Sequence, residues 1–295
     1  MSQFNFEAIG TRWQLEIYEP ILGISEEKLL EKIMSRIEDF DISYSRFRAD
    51  SLVTKMSKEI GEFSLPSDAE KIFSLYYDLY KKTNGLFTPL VGDLLSDAGY
   101  DATYTLKQKN ELKIPPKWED VFTYRDSKIN MKVPAMLDLG AGGKGYLIDI
   151  VGEILMQNEI KEFCIDAGGD ILQKSKNTIR VGLENPENTS QVVGVYTLGS
   201  GSICGSAGNR RAWGEFTHII NPKTLSSHGD IVAVWVIADT ALLADCLATC
   251  LFFVPAEILS LYNFEYVLIR KDHSFEKSAN FKGELFIARQ DLAEQ

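Results

Sequence analysis

Asp138-Leu139-Gly140-Ala141-Gly142-Gly143-Lys144-Gly145 is the stretch on which the fold turns. Upstream, Lys128 to Val133 reads as a strand and Leu137 to Gly143 as a turn-rich loop. Downstream, Lys144 to Gln157 places Tyr146, Ile150, Ile154 and Leu155 on an inward helical stripe, and Phe163-Cys164-Ile165 reads as the next strand. Repeated at regular spacing, such a strand-loop-helix-strand passage would build a doubly wound parallel sheet. The spacing is not repeated, so the expected class is α+β.

Working outward, Phe4 to Tyr18 reads as a strand broken by a turn at Gly10-Thr11, and Ser25 caps a helix to about Phe40. A helix from Ser67 to Lys82 is expected, with Ser67 as cap and Asn84-Gly85 as its left-handed stop. Thr88 to Lys117 reads as an irregular excursion with short helical pieces. Thr178-Leu183, Val192-Leu198 and Ile231-Ile237 read as strands, the last two as covered on both faces. Ala241 to Phe252 reads as an apolar helix; Phe264-Ile269 and Glu284-Ile287 read as a closing strand pair, and Asp291 onward as fraying.

The 295 residues are 45% hydrophobic and 25% charged, which is a globular composition. A chain of this mass buries roughly three quarters of its extended surface without disulfides or a structural metal. Thirty-one Lys and Arg against 42 Asp and Glu leave a net charge of -11, with no dense basic patch. Nucleic acid and anionic membranes are therefore poor partners. Cys164, Cys204, Cys246 and Cys250 sit in apolar settings and complete no zinc motif, so they read as buried thiols of a reducing compartment. Without a leader, lipid-attachment cysteine or long apolar run, the expected location is the cytoplasm, with no membrane anchor.

The glycines of the 138–145 loop would let the backbone approach a ligand; N–H groups at the following helix start favour phosphate, and Lys144 adds a point charge. The loop is not a Walker sequence, since no Ser or Thr follows the Gly-Lys pair. A tight strand-to-helix turn with a solvent-facing Lys144 accounts for the same residues. Asp166-Ala167-Gly168-Gly169-Asp170 reads as a turn whose carboxylates could meet a cation or a ribose. Gly199 to Asn209, rich in Ser and Gly, reads as a loop over an anion or as a surface hairpin. Asp245 and Thr249, four apart in an apolar helix, can present oxygens on one face to a hard cation such as Mg2+. An internal hydrogen bond from Asp245 to a loop N–H, with Thr249 bonding back to its own helix, is the competing reading. Among the histidines, His273 sits in a charged stretch and His228 in a Ser-Ser-His-Gly turn. His218, leading Ile219-Ile220-Asn221-Pro222, is placed to accept a hydroxyl proton near pH 7, or to be a structural histidine.

Taken in order, these segments resemble the FAD:protein FMN transferases, the ApbE family. The resemblance runs through Ala8-Ile9-Gly10-Thr11, Ser45-Arg46-Phe47-Arg48-Ala49-Asp50-Ser51 and Thr83 to Gly92. It continues through Asp138 to Gly145, Asp166 to Asp170, Ser206, His218 to Pro222 and Ala244-Asp245-Cys246-Leu247-Ala248-Thr249. Roughly residues 4 to 270 are covered. The chain departs from the family pattern at Thr88 and Asn221, where the family commonly has Asp, and at Gly205-Ser206-Ala207 for the usual Thr-Ser-Gly.

The resemblance implies an α+β fold with mixed or antiparallel sheets and flanking helices. It implies a single FMN transferase domain over residues 1–295, as one body or as two intimately packed lobes. It implies Mg2+-dependent transfer of FMN from FAD to a Thr or Ser hydroxyl of an acceptor flavoprotein or reductase domain, with release of AMP. The alternatives are an FAD pyrophosphatase giving FMN and AMP, and a non-catalytic FAD-binding protein. By motif, Ala141, Asp245 and Thr249 are implied to hold Mg2+. Ile9, Phe47, Leu86, Phe87, Thr88, Asp138, Lys144, Ser206 and Ile220 are implied to contact FAD, and His218 and Lys144 to act in catalysis.

Overall fold

The computed structural model describes residues 1–227 and 229–286. The chain opens with a hairpin, β1 (Ser2–Ala8) and β2 (Thr11–Ile17), joined by Ile9 and Gly10 at φ 45° and 74°. Two consecutive positive φ values suit the right-handed twist of paired strands. Next come α1 (Glu26–Tyr44), capped by Ser25 accepting from Lys28 N–H, α2 (Leu52–Met56), β3 (Gly61–Ser64) and α3 (Glu70–Lys82). Ser67 does not cap α3; the chain turns through Ser67–Ala69 first, and among the described residues no side chain caps the helix. The expected stop is present, with Asn84 and Gly85 at φ 52° and 80°.

The excursion holds α4 (Gly92–Asp97) and α5 (Trp118–Val121), followed by β4 (Phe122–Arg125) and β5 (Lys128–Met131). The loop quoted first leads into α6 (Gly143–Gln157), then β6 (Phe163–Ala167), β7 (Asp170–Lys174), β8 (Ile179–Asn185), β9 (Asn188–Leu198) and β10 (Gly201–Ala207). The rest is β11 (Ala212–Trp213), β12 (Phe216–Thr217), β13 (Ile231–Ala238), α7 (Ala241–Cys250), β14 (Glu265–Arg270), β15 (Phe275–Lys277) and β16 (Glu284–Leu285).

Eight strands form one antiparallel sheet in the order β1-β2-β6-β7-β10-β13-β14-β15. Alternation sorts their side chains onto two faces. Phe163, Ile165, Cys204, Val234, Val236 and Leu268 join the large core with α1, α3, α6 and α7. Cys164, Ile203, Ile237 and Val267 face a second core beneath β8 and β9. A third cluster joins Leu94, Leu95, Tyr100, Trp213, Phe216 and Ile220.

Three readings are corrected. Gly199 to Asn209 is neither a loop nor a surface hairpin: most of it is β10, between β7 and β13 in the large sheet. Its small residues fit this crowded place, since a Cβ on Gly205 would lie 3.0 Å from the Trp235 ring. β9 belongs to the small sheet β16-β9-β8 and is exposed along its first half. The closing strands do not pair, because β14 lies between β13 and β15 while β16 pairs with β9. His228, Ile287 and the tail from Asp291 lie outside the described residues.

Candidate active site

The glycine loop is built first for helix packing. A Cβ on Gly142 would lie 2.3 Å from Cys246 Sγ, and one on Gly145 2.2 Å from the carbonyl oxygen of Ala241. No larger residue fits either contact: α6 meets α7 backbone to backbone at Gly145, and Gly142, just before α6, lies against the Cys246 side chain. Each helix also caps the other: Asp245 Oδ2 accepts from Gly145 N–H (2.9 Å). Asp149 in turn accepts from Ala241 N–H (2.9 Å) and Leu242 N–H (2.8 Å), N–H groups that the start of α7 would otherwise leave unpaired. Burial pushes the Asp149 carboxyl up to about 6. Asp245 thus makes the internal hydrogen bond that the competing reading required. Its neighbour one turn on, Thr249, makes no side-chain bond back to α7 among the described residues, and both line a cleft of about 900 Å³.

Lys144 does not face solvent alone. Its Nζ lies 2.8 Å from Asp170 Oδ2, and Asp170, almost wholly buried at the start of β7, also accepts from Gly205 N–H (3.0 Å). Burial alone would lower the Lys144 ammonium, but the carboxylates of Asp170 and Asp245 together hold it above its usual value. Burial, and then the charge of Asp170, push the Asp245 carboxyl up to about 8. Asp138, which accepts from Gly140 N–H (2.7 Å), is paired with the buried Arg46, whose other arm donates to the Tyr100 carbonyl (2.7 Å).

His218 follows β12. Its backbone N–H donates to the Arg211 carbonyl (3.1 Å), so the two residues flank the β11–β12 hairpin at its open end. Its Nδ1 is buried without a hydrogen-bond partner among the described residues. Burial, with the Arg211 guanidinium second, pushes the imidazole down to about 4, so it is neutral at pH 7.

The structure brings the thirteen residues that the resemblance implies for FAD, Mg2+ and catalysis to this cleft, whereas Asp166, whose carboxylate accepts from Gly169 N–H (2.7 Å), does not line it. Ile9 comes from the β1–β2 turn, where a β-branched residue at positive φ is strained. Phe47 follows α1 with Arg46 over its ring, and Leu86, Phe87 and Thr88 follow α3. Phe87 packs inward on Tyr76, and Thr88 accepts from Leu90 N–H (3.2 Å). Asp138, Ala141 and Lys144 come from the glycine loop, Ser206 from β10 and Ile220 from the segment after β12. Asn221 accepts from Lys223 and Thr224 N–H groups, a local turn that Asp would form equally well.

Among the described residues no three His, Cys, Asp or Glu side chains gather as a metal cluster. A hard cation is satisfied differently, by carboxylate, carbonyl, hydroxyl and ligand oxygens. Lys144 is paired with Asp170, which leaves Asp245 a buried carboxyl beside a second carboxylate, and a cation held by Asp245, Thr249 and the Ala141 carbonyl would offset the penalty that raises it. Sequence reasoning offered Asp170 only as a turn carboxylate that could meet a cation or a ribose, and gave no separate role to Arg46 or Tyr100, whose partners lie far along the chain.

Comparison with known proteins agrees with this architecture. The sequence profile described as the ApbE family matches residues 9–267. A "FAD:protein FMN transferase" of Haemophilus influenzae is 25% identical over 314 residues, covering 94% of this chain and 89% of the relative. The structure titled "apbe protein" from Thermotoga maritima superposes with a TM-score of 0.79 at 20% identity, covering 94% of this chain and 97% of that one. The "Flavin Transferase ApbE from Vibrio cholerae" gives 0.77 at 18%, covering 94% and 96%.

Proposed function

Because the chain belongs to the ApbE family, we propose that it transfers FMN from FAD to a Thr or Ser hydroxyl of an acceptor flavoprotein or reductase domain, with Mg2+, releasing AMP. The observation that carries this reading is the convergence on one cleft of a paired lysine, a buried carboxylate beside a threonine, and an imidazole with an unpartnered nitrogen. The cleft lies at the upper end of ligand pockets, about 300–1,000 Å³, as an extended dinucleotide needs.

Neutral His218 takes the proton of the acceptor hydroxyl. The hydroxyl oxygen bonds to the phosphorus of the FMN half, the bond from that phosphorus to the bridging oxygen breaks, and AMP leaves with the electron pair. Lys144 draws charge from the pyrophosphate oxygens. Asp245, Thr249 and the Ala141 carbonyl would hold Mg2+, which when bound polarises those oxygens as a Lewis acid. The cleft draws on elements from β1 to α7, so we assign the reaction to one domain spanning the chain. Among the described residues no helix is long and apolar enough to cross a membrane, and four buried free cysteines suit a cytoplasmic setting.

The deciding experiment is incubation with FAD, Mg2+ and candidate acceptor proteins, read by mass spectrometry and AMP release. Acceptor gaining the mass of FMN with stoichiometric AMP is expected. Multiple-turnover AMP and FMN without modified acceptor would assign a pyrophosphatase, and FAD binding without AMP a carrier.

A further inference from the structure

We propose that Arg211 is a further catalytic residue, its guanidinium gripping the pyrophosphate of the dinucleotide beside His218; this rests on the reading of the cleft as an FAD site. Among the described residues four arginines line the cleft. Arg46 is paired with Asp138, Arg48 with Glu38, Asp41 and Asp50, and Arg210 with Glu184. The remaining cation of the site, Lys144, is paired with Asp170. Arg211 alone has no carboxylate within ion-pair distance among the described residues. In a cleft whose other described cations are all paired, an anionic ligand fills this place.

Its aim is fixed. Nη1 donates to Tyr100 Oη (2.6 Å), and the Tyr100 ring is buried, stacked on Trp213 and set edge-on to Phe47. The backbone carbonyl of Arg211 accepts from His218 N–H, so the open end of one hairpin carries both the proton acceptor and the free cation. Nothing else in the cleft is consumed by this arrangement: the guanidinium keeps donors for nonbridging phosphate oxygens while Tyr100 holds one. Arginine suits this place better than lysine because its planar fork meets two oxygens at once.

The test uses calorimetric titration of the full chain with FAD, ADP and riboflavin in Mg2+, and single-turnover AMP release at saturating FAD. Arg211→Met should weaken ADP and FAD about 10–100-fold, the loss of a charge-assisted hydrogen-bonded pair, and leave riboflavin, which lacks phosphate, unchanged. Arg211→Lys should recover part of the loss, and Tyr100→Phe should fall between wild type and Arg211→Met. Arg180→Met, on the exposed side of β8, removes the same charge away from the cleft and should change nothing. Wild-type ADP affinity in Arg211→Met overturns the proposal. So does an equal loss for riboflavin, which would mark a structural role, or an equal loss in Arg180→Met, which would mark net charge alone. Failure of the transferase reading appears separately, as a wild type that binds ADP but yields no AMP and no modified acceptor.

Discussion

Replacing His218 separates proton transfer from nucleotide holding, and its pH signature follows from burial. A free imidazole titrates near 6.5, whereas His218 is held down at about 4. Between those values the unfolded chain binds a proton that the folded chain refuses, so stability rises with pH across that window. It is fully present above about 6.5 and is lost as pH falls toward 4, a total of about 3 kcal/mol and about 2 kcal/mol between pH 7 and pH 5. Urea unfolding at both pH values, for wild type and His218→Gln, reads this directly: the variant should be less sensitive to acid by that amount. In catalysis, His218→Ala should lower single-turnover transfer by about 10²–10⁴-fold with FAD affinity little changed. The acidic limb of kcat/KM should lie well below 6.5, since that parameter reports the free enzyme. Parallel acid sensitivity in the two proteins, or a limb at 6.5, would refute a buried neutral base. Weaker FAD binding with an unchanged saturated rate would make His218 a nucleotide holder instead.

Asp245→Asn keeps an acceptor for Gly145 N–H but removes the charge, so it should retain the fold while losing Mg2+-dependent AMP release and the rise in melting temperature on Mg2+ addition; near-wild-type transfer would rule out this metal site. Lys144→Met leaves Asp170 buried and unpaired and should cost about 3 kcal/mol. Adding Asp170→Asn should restore most of that stability without restoring transfer, which denaturant unfolding and AMP release together report. Gly145→Ala drives a methyl into the Ala241 carbonyl, and should destabilise by about 3 kcal/mol in the same unfolding assay. Asp149→Ala orphans two buried N–H groups at the start of α7, costing about 2 kcal/mol.

The sequence was most legible where one local rule governs. Ser25 caps α1, Asn84-Gly85 stops α3, and the apolar stripe of α6 faces the core, because capping, left-handed glycine and helical period act within a few residues. Gly199 to Asn209 was illegible for the opposite reason. Its glycines and serines spell a loop locally, yet Gly201–Ala207 forms a central strand between β7 and β13, where the Trp235 ring crowds Gly205. Ser67 failed as a cap because the chain turns once more before α3 begins.

The glycine loop shows how packing and chemistry come to share residues. The glycines of 138–145 read either as a ligand cradle or as a tight strand-to-helix turn, and the closest demands on Gly142 and Gly145 come from α7, at 2.3 and 2.2 Å from a methyl. That contact puts Asp245 against the first turn of α6 and Asp149 against the first turn of α7, so the same backbone approach that seats the helices delivers a buried carboxylate to the cleft. A carboxylate placed this way is under strain from burial until something positive meets it. Any preference of the cleft for a cation would therefore be a by-product of how two helices must pack, and a substitution that separates the helices should weaken ligand binding even where it touches no ligand. Gly142→Ala tests this: if the helices part, FAD affinity in Mg2+ should fall together with stability, whereas a loss of stability with intact affinity would show that the site does not depend on the helix contact.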